Sequence, residues 1–318
     1  MPQVQSVEGK QHKRVTAHWL LAGLMLATVL ALLAPLGWPF ELFAHFRLQY
    51  AAAALLLAVL LGWRRRAWAA MLALVLAAWH AFPGAQALMA ATPPARCDGP
   101  AVTVATANVR YSNSQHEAFL AWLDTGPADV VIVQEVTTAW VQELSARTGY
   151  PHQRILPRED AYGIGVLSRR PLESVSLVDL AGDGLPSVTG VVDIGGQRVR
   201  FLGVHTRWPV APHLAQLRDD ALRSAAQLAQ GSDLPTVVLG DLNLTPDSPA
   251  FDRLLQDGGL RDALAGRDWQ PTWKADFWPL ALRIDHILVS PGVCVERGSA
   301  GPPVGSDHLP VLARLRLL

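Results

Sequence analysis

Thr236-Val-Val-Leu-Gly-Asp-Leu-Asn-Leu-Thr-Pro246 is a run of apolar residues that breaks into Gly240-Asp241-Leu242-Asn243. The run reads as a buried strand whose C-terminal end delivers two polar side chains. Side chains alternate across a strand, so Asp241 and Asn243 are expected to point one way and Leu242 into packing. Taken alone, the stretch is a strand ending in turn chemistry, because Asp and Asn turn well and Ser248-Pro249 reads as the N-cap and first residue of a helix. The rest of the chain overturns that plain reading.

Working outward, Pro212 to Gln230 carries Leu214, Leu217, Ala221, Ala225 and Leu228 at helical spacing and closes on Gly231, an amphipathic helix feeding the strand. Val188 to Ile194 and Arg198 to Val204 form a hairpin across Gly195-Gly196, and its second arm ends at His205. Tyr162 to Ser168 and Val175 to Leu180 read as an antiparallel pair around Arg169-Arg170-Pro171. Ala101 to Ala107 is a strand ending on Asn108, and Val130 to Gln134 a buried strand ending on Glu135, each followed by a helix, His116 to Leu123 and Ala139 to Arg147. Pro249 to Gln256 is helical. Asp285 opens the strand Ile287 to Ser290, Val293 to Glu296 pairs next, and Asp307-His308 precedes the last strand, Leu309 to Leu315.

Five strand ends thus carry Asn108, Glu135, His205, Asp241 with Asn243, and Asp307 with His308, and Asp285 begins a further strand. An isolated Glu after a strand is usually a solvated end and an isolated His a satisfied structural residue. Together they are hard to explain as packing. Carboxylates, amides and two histidines without a thiolate cluster make an oxygen-rich set suited to Mg²⁺ or Mn²⁺ more than to structural zinc.

The chain of 318 residues is 50% hydrophobic with a mean hydropathy of +0.20, and the excess lies between about Ala17 and Ala91. Three apolar stretches, about His18 to Phe40, Leu48 to Trp63 and Ala67 to Ala91, approach the roughly 20 residues needed to cross a bilayer. The expected organisation is a cytoplasmic tail at 1–16, a membrane segment of about three helices at 17–91, a Pro/Gly-rich linker at 92–100 and a globular region at 101–318. Arg64-Arg65-Arg66 with Lys10, Lys13 and Arg14 fixes the positive side, which places the globular region outside the cytoplasmic membrane, on the periplasmic side. The middle stretch is short, so a two-helix hairpin with the opposite sidedness stays open. A cleaved signal peptide fails because two further apolar stretches follow. His80 is read as interfacial. Three spans with few polar residues read as an anchor and not a transporter.

The net charge of zero hides an asymmetry: seven basic and two acidic residues precede Arg96, so the remainder carries −5. That balance argues against gripping long nucleic acid through a basic face, though not against a local basic cleft. The two cysteines, Cys97 and Cys294, both fall on the side placed outside and are expected to pair, against the alternative of two unrelated buried residues.

Thr106-Ala-Asn-Val109, Gln134-Glu135, Gly203-Val-His-Thr206, Gly240-Asp-Leu-Asn243, Arg283-Ile-Asp-His286 and Ser306-Asp-His308 occur in one order over nearly all of 101–318. In that set the chain resembles the endonuclease/exonuclease/phosphatase superfamily, which includes deoxyribonucleases, abasic-site endonucleases, neutral sphingomyelinases and inositol-polyphosphate phosphatases. The resemblance implies an α+β fold: a four-layer α/β/β/α sandwich of two mainly antiparallel sheets with the site at the sheet ends. It implies Glu135 as principal metal ligand with Asn108 and Asp307 nearby, Asp241 orienting or deprotonating water, and Asn243 on a phosphate oxygen. It implies His205 on the phosphoryl group or leaving oxygen, and His308 as a second acid/base or transition-state contact oriented by Asp285. In some relatives an acidic residue supports the first histidine, a part that Glu159 or Asp160 would take here.

The activity so implied is phosphoester hydrolysis by metal-assisted in-line attack of water, with Mg²⁺ or Mn²⁺ as cofactor. The expected partners are a phosphate-ester substrate, nucleic acid or phospholipid headgroup, and the lipid bilayer, with no protein partner. Diester cleavage is favoured over monoester. Arg207, Trp208, Trp273, Lys274, Phe277 and Trp278 lie in loops beside the site residues, suited to stacking on bases, to insertion at a membrane interface or to plain core packing. The alternative is a catalytically silent binding domain of the same fold, for which loss of Glu135, Asp241 or His308 would be the sign.

Overall fold

The computed structural model describes residues 4–89, 97–268 and 270–318, with side chains from His18 onward except at Ala87. Most of the linker at 92–100, its residues 92–96, and the side chains of the basic N-terminal residues lie outside the described residues. The chain divides into an N-terminal unit up to Ala87 and a larger unit from Leu88 onward, less Asp247–Pro249.

The N-terminal unit is helical. Helix α1 (Val4–Leu32) begins within the stretch read as a tail, and a short 3-10 turn at Ala34–Leu36 and α2 (Glu41–Ala44) follow. The first apolar stretch therefore does not run as one helix to Phe40. Pro35 and Pro39 lack the N–H a helix needs, and Gly37 sits at φ 86°, so the helix cannot continue. Helices α3 (Arg47–Trp63) and α4 (Ala67–Met89) occupy the second and third stretches. Among the described residues, only Ala67–Gln86 is long and apolar enough by itself to cross a membrane; His18–Leu32 and Arg47–Trp63 are shorter apolar helices. His80 is buried rather than interfacial, its Nε2 lying 2.9 Å from Thr28 Oγ1, a polar tie between α4 and α1.

The larger unit holds two six-stranded sheets. Sheet I has the order β11-β12-β1-β2-β4-β3, from β1 (Ala101–Asn108), β2 (Val130–Gln134), β3 (His152–Leu156), β4 (Ile164–Ser168), β11 (Val293–Ala300) and β12 (Val311–Leu317). Sheet II has the order β5-β6-β7-β8-β10-β9, from β5 (Leu172–Asp179), β6 (Pro186–Ile194), β7 (Gln197–His205), β8 (Thr236–Asp241), β9 (Arg261–Asp262) and β10 (Asp285–Val289). Each sheet has one parallel pair, β1 with β2 and β7 with β8; all others are antiparallel. Helices α5 (Glu117–Asp124) and α6 (Thr138–Ser145) cover sheet I, and α7 (Pro212–Gln230) and α8 (Pro249–Gly258) cover sheet II, completing the α/β/β/α sandwich.

Alternation explains how the layers form. In β1, Val102 and Val104 enter the core between the sheets while Ala105 and Ala107 meet the helices; in β8, Val237 and Leu239 face inward and Val238 outward. Two expected pairings are corrected. β4 and β5 are not a hairpin, because β4 pairs with β2 and β3 while β5 pairs with β6. Likewise β11 pairs with β12 and not with β10. In both places the chain crosses from one sheet to the other, a step a local turn signal does not reveal. Cys97 and Cys294 are joined, with Cα atoms 6.3 Å apart, which pins the start of the unit to the β11–β12 hairpin.

Candidate active site

The inward face of the central strands is mainly apolar, broken by the hydrogen-bonded pair Thr106 and Gln134 in β1 and β2, and gives way to polar residues at the site end. Continuing the alternation, Asn108 follows Val102 and Val104, Asp241 follows Val237 and Leu239, and Asp285 precedes Ile287 and Val289. All three are buried, as are His205 and His308. The registers align His205 with Asp241 across β7 and β8, and Asp241 with Asp285 across β8 and β10, giving one polar row along the end of sheet II. Gly203, two residues before His205, leaves room for Ile132 of the facing sheet; a Cβ there would sit 2.7 Å from Ile132 Cγ2. Gly240 has φ 151°, and a Cβ there would fall on the Val204 carbonyl, so only glycine lets β8 lie beside β7 at this point.

Two contacts join the sheets. Asn108 Nδ2 donates to Glu135 Oε1 at 2.8 Å and to Asp241 Oδ2 at 3.1 Å, while Asn108 Oδ1 accepts from the Arg110 N–H. His308 Nδ1 lies 2.9 Å from Asp285 Oδ2, and His308 Nε2 is 3.8 Å from Asp241 Oδ2. His205 Nε2 is 3.6 Å from the same oxygen. Glu135 Oε2 accepts from the Tyr111 N–H at 2.8 Å. Asp307 lies at the rim, with Arg110 Nε at 3.9 Å and Lys274 Nζ at 3.6 Å.

Asn243 reaches the site by a different route from the one alternation suggests. Its φ is 51°, its N–H donates to Asp241 Oδ1, and its side-chain amide donates to the Thr206 carbonyl. It belongs to a tight Asx-type turn and not to the strand, so Asp241 is held by backbone as well as by Asn108. Arg110, Glu135 and Lys274 also sit at positive φ, which concentrates strained backbone at this end of the sandwich.

The two histidines are driven in opposite directions. Burial lowers His205 to about 3, helped by the charge of His308, which makes it a neutral imidazole. Burial also opposes charge on His308, but the Asp285, Asp241 and Asp307 carboxylates outweigh it and raise the group to about 9. Burial, reinforced by Asp285, raises Asp241 to about 7, and burial raises Glu135 against the bonds from Tyr111 and Asn108. Carboxylates pushed upward by desolvation are groups that a cation would relieve.

The donor set fits a hard divalent ion. Glu135 and Asp307 offer carboxylate oxygens at the open side of the site, and the charge of Asp307 adds to the burial that raises Glu135. Asp241, Asp285 and His308 also place ligand-capable atoms within 4.8 Å of one another. Hydrogen bonds already engage His308 Nδ1 with Asp285, and Asp241 with Asn243 and Asn108, so this trio reads as a proton-handling relay.

Neither acidic residue expected beside His205 hydrogen-bonds it, although the charge of Asp160 acts on the ring and opposes the burial that lowers it. Glu159 accepts from the Thr138 N–H, and Asp160 is paired with Arg158 at 2.7 and 2.9 Å. The ring of Tyr162 packs against His205 instead, at 5.3 Å between centroids, and the Arg207 guanidinium lies over the Tyr162 ring, 4.8 Å from its centroid. His205 Nδ1 is buried without a hydrogen-bond partner among the described residues. Sequence reading missed Tyr162 and also Thr272, whose Oγ1 accepts from the Ile284 and Asp285 N–H groups and fixes the start of β10. Neither follows an apolar run, the signal that marked the others.

Two packed sheets that end in carboxylates, amides and a charged–neutral histidine pair define a phosphoric ester hydrolase. The chain belongs to the Endonuclease/Exonuclease/phosphatase family, whose pattern matches residues 105–308 and whose enzymes depend on divalent metal. No curated protein matches it. Among solved structures, it is similar to D. rerio TDP2 complexed with single strand DNA product, at 18% identity over 68% of this chain and 99% of that one, TM-score 0.57. It is similar to the endonuclease/exonuclease/phosphatase from Beutenbergia cavernae, at 23% identity over 69% and 72%, TM-score 0.55. The family protein from Bacteroides vulgatus aligns at 21% identity over 69% and 99%, TM-score 0.57. At such identities the likeness establishes the fold.

Proposed function

We propose that this chain is a membrane-anchored phosphoesterase that cleaves a phosphodiester, of nucleic acid or of a lipid headgroup, outside the cytoplasmic membrane. The reading is carried by one observation: the row His205–Asp241–Asp285 along sheet II, closed by Asn108 and His308 from sheet I. Mg²⁺ or Mn²⁺, held by Glu135 and Asp307 with Asn108 beside them, would supply Lewis-acid neutralisation of the phosphate oxygens. Asp241, fixed by Asn108 and the Asn243 N–H and raised to about 7, takes a proton from the attacking water near neutral pH. His308, kept charged by Asp285, faces the transferring phosphoryl group as a cation and proton donor. His205, neutral, contributes a hydrogen bond to a phosphate or leaving-group oxygen, and Asn243 lines the same space.

Anchoring is supported by the helix Ala67–Gln86 and by the two shorter apolar helices, which three spans would use with the positive Arg64-Arg65-Arg66 loop inside. In this organisation 1–16 is the cytoplasmic tail, 17–91 the membrane segment, 92–100 the linker and 101–318 the catalytic domain. A reporter fused after Leu318 that works only outside the cytoplasm is expected to be active; an inactive one would favour two spans. The activity is tested on the purified full chain with Mg²⁺ and Mn²⁺ against DNA, RNA, phospholipid and a simple monoester. Diester turnover that disappears in chelator supports the reading, and absence of turnover on every ester refutes it.

A further inference from the structure

Among the described residues from Cys97 onward, eight large apolar side chains stand exposed, and six of them occupy loops at the site: Tyr111, Trp208, Val210, Phe277, Trp278 and Leu280. The other two, Leu228 on α7 and the terminal Leu318, lie elsewhere. Topology puts the six at one end of the sandwich. Tyr111 follows the end of β1 and donates its N–H to Glu135; Trp208 and Val210 follow His205 at the end of β7. Phe277, Trp278 and Leu280 lie between Lys274, whose N–H bonds the Asp307 carbonyl, and Asp285 at the start of β10. Trp208 is 60% exposed and Phe277 54%, so the plain reading of these residues as sandwich core does not hold for them, whereas Trp273 is half-buried.

Clustered exposed aromatics around a site mark a surface that meets something apolar. We propose that this rim docks on a phospholipid bilayer and that the substrate is a phosphate ester carried by a membrane lipid, an inference that rests on the phosphoesterase reading above. Trp, Tyr and Phe with Leu and Val are the residues that settle at a membrane interface. The same chain carries an apolar helix of spanning length, Ala67–Gln86, which on the proposed anchoring would keep the protein on a lipid surface. Charge separates this occupant from a nucleic acid strand. A strand needs a row of cations, yet the chain from Arg96 onward carries −5, Arg207 is paired with Asp183 and Arg158 with Asp160, and at the rim Arg110 and Lys274 share the single carboxylate of Asp307. Two cations sharing one carboxylate, in loops that also carry exposed apolar side chains, suit a single headgroup phosphate.

The test uses the full chain in phosphatidylcholine–phosphatidylglycerol vesicles. Because Cys97 and Cys294 are joined, Phe277→Cys and, separately, Leu228→Cys each offer one thiol for an environment-sensitive dye. Brominated lipid is expected to quench the dye at position 277 several-fold more than at 228; equal quenching at both, or none at 277, overturns docking. In the second arm, the Trp208→Ala/Phe277→Ala/Trp278→Ala variant is expected to turn over vesicle phosphatidylglycerol about tenfold more slowly while hydrolysing a soluble dinitrophenyl phosphodiester within about twofold of wild type. Unchanged vesicle turnover, or a loss confined to single-stranded DNA, overturns the lipid assignment and, in the second case, makes the rim a base-stacking surface. Wild-type protein that hydrolyses no ester, soluble or lipid, refutes the phosphoesterase reading instead, and the quenching arm then decides docking by itself.

Discussion

Sheet I brings Glu135, Asp307, Asn108 and His308 to the site, whereas sheet II brings His205, Asp241, Asn243 and Asp285. In the first set Glu135 and Asp307 stand at the open rim, at most partly buried, while Asn108 and His308 are buried; in the second, His205, Asp241 and Asp285 form a buried row locked in strand register, with Asn243 in the turn beyond it. The difference teaches that, on the proposed reading, rim carboxylates of sheet I would hold the cation and the carboxylate row of sheet II would handle the proton with His308, the two halves being coupled through two side-chain contacts. Asn108 reaches across to Asp241 and His308 reaches across to Asp285.

The largest effects should separate the halves. Asp241→Asn is expected to lower kcat by about 10²–10⁴-fold at every metal concentration, since it removes the base itself. Glu135→Ala is expected to lose as much at low Mg²⁺ but to recover part of its activity as Mg²⁺ or Mn²⁺ is raised, because it weakens ion binding. Steady-state kinetics across a metal titration check both; recovery of Asp241→Asn by metal would break the division. Gly240→Ala should come next, costing about 3 kcal/mol or more in denaturant unfolding, because a Cβ meets the Val204 carbonyl and wedges β8 from β7.

A subtler effect concerns the histidine pair. His308 is held at about 9 by its carboxylates and His205 at about 3, so activity that needs the His308 cation should fall as pH rises through about 9, with no limb from His205. In Asp285→Asn that alkaline limb should move down toward 6.5. The sign for stability is the same: the folded value lies above the unfolded 6.5, so the contribution of the His308–Asp285 pair is fully present below 6.5 and is lost as pH climbs to about 9. In chelator, the difference in melting temperature between wild type and Asp285→Asn should narrow over that window. The smallest effect on the site belongs to the disulfide. Reducing Cys97–Cys294, which closes 197 residues, should lower stability by about 2–4 kcal/mol yet leave turnover unchanged, since β11 meets β12 at Leu317, the end away from His308.

Asn108, His205 and Asp241 were legible in the sequence because each terminates an apolar run, so strand alternation aims it at the space between the sheets, and Asp285 is aimed there by the run it begins. Glu135 is in phase with the helix-facing Val131 and Val133 and reaches the site through its left-handed backbone, and His308 stands in the loop before β12, so these two were marked by their neighbourhood to a strand and by the resemblance. Asn243 was found for the wrong reason: its left-handed backbone turns it off the strand, and its place depends on Thr206 of a neighbouring loop. The sheet crossings between β4 and β5 and between β10 and β11 were not legible, because a local turn signal at Arg169-Arg170-Pro171 is the same whether the next strand pairs back or crosses. Strand β3 was missed because His152–Leu156 is only partly buried and polar, an edge whose pairing with β4 supplies the order its sequence lacks. The partner of His205 was illegible as well, since Tyr162 lies 43 positions away and contacts it only through the packed sheets.

The central claim, that one sheet holds the ion and the other the base, is tested most directly by phosphodiester hydrolysis of the full chain and of Asp241→Asn across a Mg²⁺ and Mn²⁺ titration with a chelator control. The account predicts wild-type turnover that vanishes in chelator and a variant that stays inactive at every ion concentration while remaining folded. Turnover that survives chelation, or an Asp241→Asn protein as active as wild type, would contradict it.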